Sequence, residues 1–313
     1  MDLRIVFMGT PDFAVPSLRI LVEHGYQVVG VITATDKRGG RGKKQLLQSP
    51  VKKFALAHDI PVLQPRNLKA PEFIAELEAL RANLQVVVAF RMLPEVVWDM
   101  PEYGTFNLHG SLLPKYRGAA PINWAVINGE TETGVTSFFL QHEIDTGDMI
   151  FQEKMPIYES DTAGDVHDRM MHLAAATVLK TVQAIAQGDV PTQKQDDTQA
   201  TKAPKIFRET CEINFDQPAR QVHNFIRGLS PYPAAWTTLD GKQLKILKTT
   251  LTEEKTDLPP GTLMSDDKTF IRVACQDKLI ELQSVQLQGR KRMEVSDFLN
   301  GFQLHATSGQ LGE

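Results

Sequence analysis

The chain has 313 residues, 42% of them hydrophobic and 23% charged, with a net charge of −4 and two cysteines. That length corresponds to about two ordinary domains, the apolar share is ample for packed cores, and no run approaches the ~18 uncharged apolar residues a membrane helix needs. Cys211 and Cys275 stand far apart and outside any Cys-x-x-Cys pattern, which excludes a disulfide framework and a cysteine-rich zinc site.

The first residues, MDLRIVFMGTPDF, carry Asp2 and Arg4 and enter a strand directly, without a basic leader or cleavage site, so a cytoplasmic protein with no membrane association is expected. LRIVFM (3–8) is the first strand, and Val15, Leu18, Leu21 and Val22 then repeat at helical spacing. VVGVIT (28–33), IPVL (60–63) and LQVVVAF (84–90) follow, with a helix over 71–81 between the last two. These runs are apolar throughout, as in a parallel sheet covered on both faces. FNLHG (106–110), GVTSFFL (134–140) and DMIFQEKMPI (148–157) complete the strands, and a helix spans 162–187. The β-α alternation predicts an open, doubly wound, Rossmann-like α/β domain over 1–188. The polar, aperiodic stretch 189–205 has the composition of a linker. Beyond it, a short helix (219–227) precedes short strand runs at 235–239, 244–249, 269–275 and 279–287. Such runs, separated by Asp-Gly and Pro-Gly turns, predict a small β-barrel or sandwich over 206–313.

Charge is unevenly spread. Between Asp36 and Lys53 there are seven bases (Lys37, Arg38, Arg41, Lys43, Lys44, Lys52, Lys53) and one acid. Either this is a solvated, lysine-rich loop or it meets a polyanion. Two nucleotide motifs fail. Gly9-Thr10-Pro11-Asp12-Phe13 has one glycine where a dinucleotide turn needs three, and Gly39-Gly40-Arg41-Gly42-Lys43-Lys44 lacks the glycine and the hydroxyl residue of a phosphate loop. No nicotinamide cofactor is expected. The histidines show no paired metal-ligand spacing, so no metal is expected either.

The chemistry concentrates in Asn107-Leu108-His109-Gly110-Ser111-Leu112-Leu113-Pro114 and in His142-Glu143-Ile144-Asp145-Thr146-Gly147-Asp148. Open α/β sheets bind ligands beyond the carboxyl ends of their strands. Asn107 and His109, two apart on one strand, point to the same face, where an amide and an imidazole can hold a carbonyl and its developing negative charge. Asp145 can act beside them as proton acceptor. A structural histidine and a plain Asp-Gly turn are the competing readings of the same residues.

NLHGSLLPKYRGAAPINWA, followed by ETGVTSFFLQHEIDTGDMI, resembles the folate-dependent formyltransferases. The resemblance extends over nearly the whole chain, and DKRGGRGKKQLLQSPVK together with RGLSPYPAAW (227–236) is similar to the branch that acts on aminoacylated tRNA. It implies transfer of a formyl group from 10-formyltetrahydrofolate, as donor substrate, to the α-amino group of methionyl-initiator tRNA. Asn107, His109 and Asp145 match the catalytic trio, and Asp145 is expected to orient His109 and help take the amine's proton. Ser111, Leu112, Leu113 and Pro114 match the tetrahydrofolate-contacting stretch. The basic loop, with Lys37, Arg38, Arg41, Lys43 and Lys44, is expected to enter the acceptor end of the tRNA. The C-terminal domain is expected to be an OB-like barrel that holds the tRNA, and the protein a monomer. Phe13 either helps form a methionine pocket or packs in the core. One departure from the family pattern is Phe90-Arg91-Met92, where an aromatic-Gly pair is usual; Arg91 either reshapes the folate cleft or points to solvent. The rival reading is a formyltransferase acting on a nucleotide sugar or other small amine, which shares the Asn-x-His and the downstream Asp. A non-catalytic RNA-binding module would account for the basic loop and not for that trio.

Overall fold

The computed structural model describes residues 1–39, 45–301 and 311. In chain order, β1 (Arg4–Gly9) leads to α1 (Val15–Glu23), β2 (Gln27–Ile32), a hairpin of β3 (Lys37–Gly39) and β4 (Gln45–Leu47), and α2 (Pro50–Ala57). Then come β5 (Val62–Leu63), α3 (Pro71–Ala79), β6 (Leu84–Val88), α4 (Glu95–Trp98), β7 (Thr105–His109), β8 (Arg117–Gly118) and α5 (Pro121–Ile127). β9 (Glu132–Phe139) and β10 (Met149–Pro156) precede α6 (Ala163–Gln187) and β11 (Lys202–Ala203). The remainder comprises α7 (Ala219–Leu229), β12 (Ala235–Leu239), β13 (Lys242–Lys255), β14 (Leu263–Ser265), β15 (Ile271–Ala274), β16 (Lys278–Leu287), β17 (Met293–Glu294) and α8 (Val295–Gly301).

The chain forms two compact units: Met1–Gly118 with Thr133–Met155 and His167–Lys202, and Ala119–Glu132 with Pro156–Val166 and Ala203–Glu313. They interleave, where the sequence suggests a single cut, and residues 189–202 belong to the first unit. That polar stretch is therefore not a free tether: its side chains cap carbonyls of the neighbouring loops, as described below.

The first unit is built on a seven-stranded sheet in the order β10-β9-β7-β6-β1-β2-β5. β5, β2, β1, β6 and β7 are parallel, and β9 runs antiparallel to β7. Ile5, Val6, Phe7 and Met8 of β1 are fully buried, and all five residues of β6 are buried, which is why their sequences read as unbroken apolar runs. Strand order reverses between β1 and β6, and the crevice beyond their carboxyl ends is where such sheets take ligands. The α2 start is fixed by Ser49, whose hydroxyl accepts from the Lys52 amide at 3.0 Å.

The second unit holds a six-stranded antiparallel sheet in the order β12-β13-β16-β15-β14, with β17 on β16. Among the described residues β12 and β14 are not paired with each other, so the hydrogen-bonded path is open. α7 buries Val222, Ile226 and Leu229 in the core that this sheet supplies. α5 lies against α7 closely enough that a Cβ on Gly228 would stand 2.8 Å from the Ile127 amide. Asn123 Nδ2 donates to the Gly228 carbonyl at 2.7 Å across the same contact.

Candidate active site

β7 places Asn107 beside Val87 of β6 and Phe138 of β9, and His109 beside Thr136 of β9. The alternation of a strand sends both side chains to one face. Asn107 is half-buried, and its side-chain amide makes no hydrogen bond among the described residues. Such a group retains two donors and an acceptor for a ligand.

His109 is buried, and its Nε2 lies 2.8 Å from the Tyr116 carbonyl oxygen. A carbonyl only accepts, so Nε2 carries a hydrogen and donates. The other ring nitrogen, Nδ1, faces Asp145 Oδ2 at 3.7 Å. That is too long for a direct hydrogen bond and short enough for an ion pair when the ring is protonated. The imidazole is thus oriented by the Tyr116 carbonyl, where the sequence assigns that task to Asp145.

Asp145 sits at φ 57, in the left-handed region that Asp tolerates. Its Oδ2 accepts from the Gly118 amide at 2.9 Å. Two residues on, a Cβ at Gly147 would collide with the Phe139 carbonyl oxygen, so the turn requires glycine there. Gln195 Nε2 donates to the carbonyls of both Asp145 (2.9 Å) and Gly147 (2.8 Å).

The loop after β7 is pinned from within. Ser111 is fully buried and its hydroxyl donates to the Lys115 carbonyl at 2.7 Å. Thr136 Oγ1 donates to the Ser111 carbonyl at 2.7 Å and accepts from the Leu113 amide at 3.1 Å. Gln152 Nε2 donates to the Leu113 carbonyl at 2.9 Å. The Ser111 hydroxyl is spent inside the loop, while Leu112 and Pro114 remain half-buried and Leu113 is buried. Arg91 is exposed, and its guanidinium donates to the carbonyls of Pro65 and Arg66, joining the loop after β6 to the loop after β5. Phe13 is buried, with its ring 5.2 Å from that of His167.

The basic segment divides in two. Lys37 and Arg38 are exposed on β3, and Leu46 and Leu47 are exposed on β4. Arg41, Lys43 and Lys44 lie outside the described residues. Lys52, counted with them on charge alone, belongs to the root of the hairpin. Its Nζ donates to Asp36 Oδ2 at 2.6 Å and to Gln64 Oε1 at 2.7 Å. Gln64 Nε2 in turn donates to Asp36 Oδ1 at 2.8 Å and to the Ala34 carbonyl. The hydrogen bonds from Lys52 and then Gln64 hold the Asp36 carboxyl below its usual range.

Three participants escape a reading of residue types: Tyr116, which acts through its carbonyl; Gly118, through its amide; and Gln195, from within a polar stretch. Arg117-Gly118 lies inside the conspicuous central block and is the signal for the first two; Gln195 has none.

The formyl transferase family matches residues 3–182, and its C-terminal domain matches residues 205–303. Methionyl-tRNA formyltransferase from Bacteroides fragilis is 54% identical over 312 residues, covering 97% of this chain and 96% of that protein. That of Parabacteroides distasonis is 55% identical over 311 residues, covering 96% of each. Among solved structures, an N-formyltransferase from Helicobacter canadensis in complex with folinic acid and dTDP-3-aminofucose superposes with a TM-score of 0.66 at 22% identity, covering 90% of this chain and 99% of that one. Methionyl-tRNA formyltransferase from Clostridium thermocellum gives 0.57 at 15%, covering 89% and 99%. These two likenesses speak to the fold, and the identities above speak to the family. With the Asn107, His109 and Asp145 groups at the carboxyl end of β7 and relatives of 54–55% identity along nearly the full chain, the chain belongs to the formyl transferase family, and within it to the methionyl-tRNA formyltransferases.

Proposed function

We propose that the protein transfers the formyl group of 10-formyltetrahydrofolate to the α-amino group of methionyl-initiator tRNA, in the cytoplasm and as a monomer. The observation that carries the chemistry is the Asn107 amide, without a partner among the described residues, beside the His109–Asp145 pair, 3.7 Å apart at the end of β7. The amine attacks the formyl carbon of the donor, the bond from that carbon to N10 breaks, and tetrahydrofolate leaves with a proton taken up on N10. The Asn107 amide donates to the formyl oxygen as negative charge develops there. His109 keeps Nε2–H on the Tyr116 carbonyl, so only Nδ1 can help, and it does so as a donor when protonated. Asp145, held by the Gly118 amide, takes the proton that the attacking amine must lose. No covalent intermediate on the protein is needed.

The half-buried Leu112 and Pro114 suit an aromatic folate ring. The Ser111 side chain serves only to hold that loop. Residues 1–188 form the catalytic portion, and 206–313 an OB-like portion that holds the tRNA. Lys37, Arg38, Arg41, Lys43 and Lys44 meet acceptor-stem phosphates, a use that a small amine substrate would not require. Phe13 supports the methionine pocket from the core side. The deciding experiment incubates the protein with 10-formyltetrahydrofolate and either charged initiator tRNA or a nucleotide-linked amino sugar. N-formylmethionine on the tRNA is the expected product; formylation of the sugar amine alone would overturn the proposal.

A further inference from the structure

Gln195 stands at the centre of a polar network in the segment that reads as a linker. Arg117 Nε and Nη2 donate to Gln195 Oε1 at 3.1 and 2.6 Å. Arg117 Nη2 also donates to Asp197 Oδ1 at 2.6 Å. A guanidinium has no acceptor, so the atom facing it must be the amide oxygen, and the Gln195 nitrogen is left facing the other way. That nitrogen donates one hydrogen each to the carbonyls of Asp145 and Gly147, at 2.9 and 2.8 Å. The amide is therefore fully used and its orientation is set by Arg117.

The same segment grips the other side of the catalytic pair. Tyr116 N donates to Thr201 Oγ1 at 2.8 Å, and Arg117 N donates to the Thr201 carbonyl at 2.9 Å. Tyr116 supplies the carbonyl that orients His109, and Gly118 supplies the amide that holds Asp145. Residues 195–201 thus secure both partners of the pair, and the left-handed Asp145 (φ 57) is held by a hydrogen bond on its main-chain carbonyl and a second on that of Gly147.

We propose that Gln195 is a positioning residue for formyl transfer: its amide, oriented by Arg117, clamps the Asp145–Gly147 turn so that the Asp145 carboxylate stays on the Gly118 amide and in line with His109 Nδ1. The proposal rests on the role of Asp145 given above. A displacement of a base by about 1 Å can cost on the order of 10²-fold in rate, so the clamp acts on turnover and leaves substrate affinity alone.

The test is a cycle of Gln195→Ala, Asp145→Asn and the double variant of the whole chain, with kcat, both KM values and thermal melting measured. Gln195→Ala is expected to lower kcat by about 10–100-fold, with KM for tRNA and for 10-formyltetrahydrofolate within about twofold and the melt unchanged. In the Asp145→Asn background the same change should cost nothing further, because residues acting as one unit are not additive. Gln195→Glu keeps the acceptor for Arg117 and removes both donors, and should lose at least as much kcat. Wild-type kcat in Gln195→Ala or Gln195→Glu, an equal loss in both backgrounds, or a lowered melt with raised KM values would each overturn the proposal. Full turnover by Asp145→Asn alone would instead remove the role of Asp145, which separates the two failures.

Discussion

The imidazole of His109 is committed to the carbonyl of Tyr116, 2.8 Å away. Because that oxygen only accepts, the ring has one free edge, Nδ1, and this edge faces Asp145. Truncation should therefore remove the chemistry, and it also takes one hydrogen bond from the Tyr116 carbonyl. His109→Ala is expected to lower kcat by about 10²–10³-fold, the scale of losing one charge-stabilising donor, with tRNA binding nearly unchanged. Steady-state kinetics together with a tRNA-binding isotherm check this, and near-normal turnover would contradict it.

Asp145→Asn conserves shape and removes charge. The Asn side-chain oxygen can still accept from the Gly118 amide, so the turn should persist and melting should match the parent protein. Turnover should be almost abolished, since the amide cannot take the amine's proton. A variant that melts early would show that Asp145 serves the turn instead.

The basic segment should split into two classes of residue. Arg41→Ala and Lys43→Ala/Lys44→Ala are expected to weaken kcat/KM for tRNA and to flatten its log–log dependence on salt by about one per phosphate contact removed. Binding of 10-formyltetrahydrofolate should not change. Lys52→Ala should behave differently, because Lys52 is held by Asp36 and Gln64: it should lower the melting temperature and leave the salt slope intact. Salt-dependent kinetics on the three variants separate the classes.

A fourth expectation concerns acid. Burial, and then the charges of Arg227 and Arg220, push the His223 imidazole down to about 4, where the free side chain titrates near 6.5. Its Nδ1 lies 2.8 Å from Thr249 Oγ1 in the second unit's core. Between about pH 6.5 and 4 the unfolded chain binds a proton that the folded chain refuses, so stability falls as pH falls through that window. The loss is on the order of 2–3 kcal/mol. Chemical denaturation of the parent and of His223→Asn at pH 7, 5.5 and 4.5 checks this, with a smaller decline expected in the variant.

Much of the first unit was legible because β1, β2 and β6 are almost wholly apolar runs, the pattern a parallel sheet covered on both faces writes. The β3–β4 hairpin was not, since Lys37 and Arg38 opposite exposed Leu47 and Leu46, and Gly39 opposite Gln45, carry no alternation. β13 reads as a six-residue run and extends from Lys242 to Lys255; its second half is largely exposed and its register shifts against β16, which erases the periodicity. At the site, Asn107, His109 and Asp145 stand out by residue type and spacing. Tyr116 and Gly118 do not, because a main-chain carbonyl or amide has no residue signature. Gln195 looks like any solvated glutamine until its two partners are in place.

The brace formed by residues 195–201 has a consequence for modularity. The two family matches end at 182 and resume at 205, so the intervening stretch falls to neither domain by descent, yet Gln195 and Thr201 serve the loops around His109. A chimaera with a relative joined near residue 188 would inherit Asn107, His109 and Asp145, with Tyr116 and Gly118, from one parent and the Gln195–Thr201 brace from the other. Crossing over at 203 or later, where the first compact unit ends, keeps side chains and support together, and the two junctions should differ in activity though they differ by few residues.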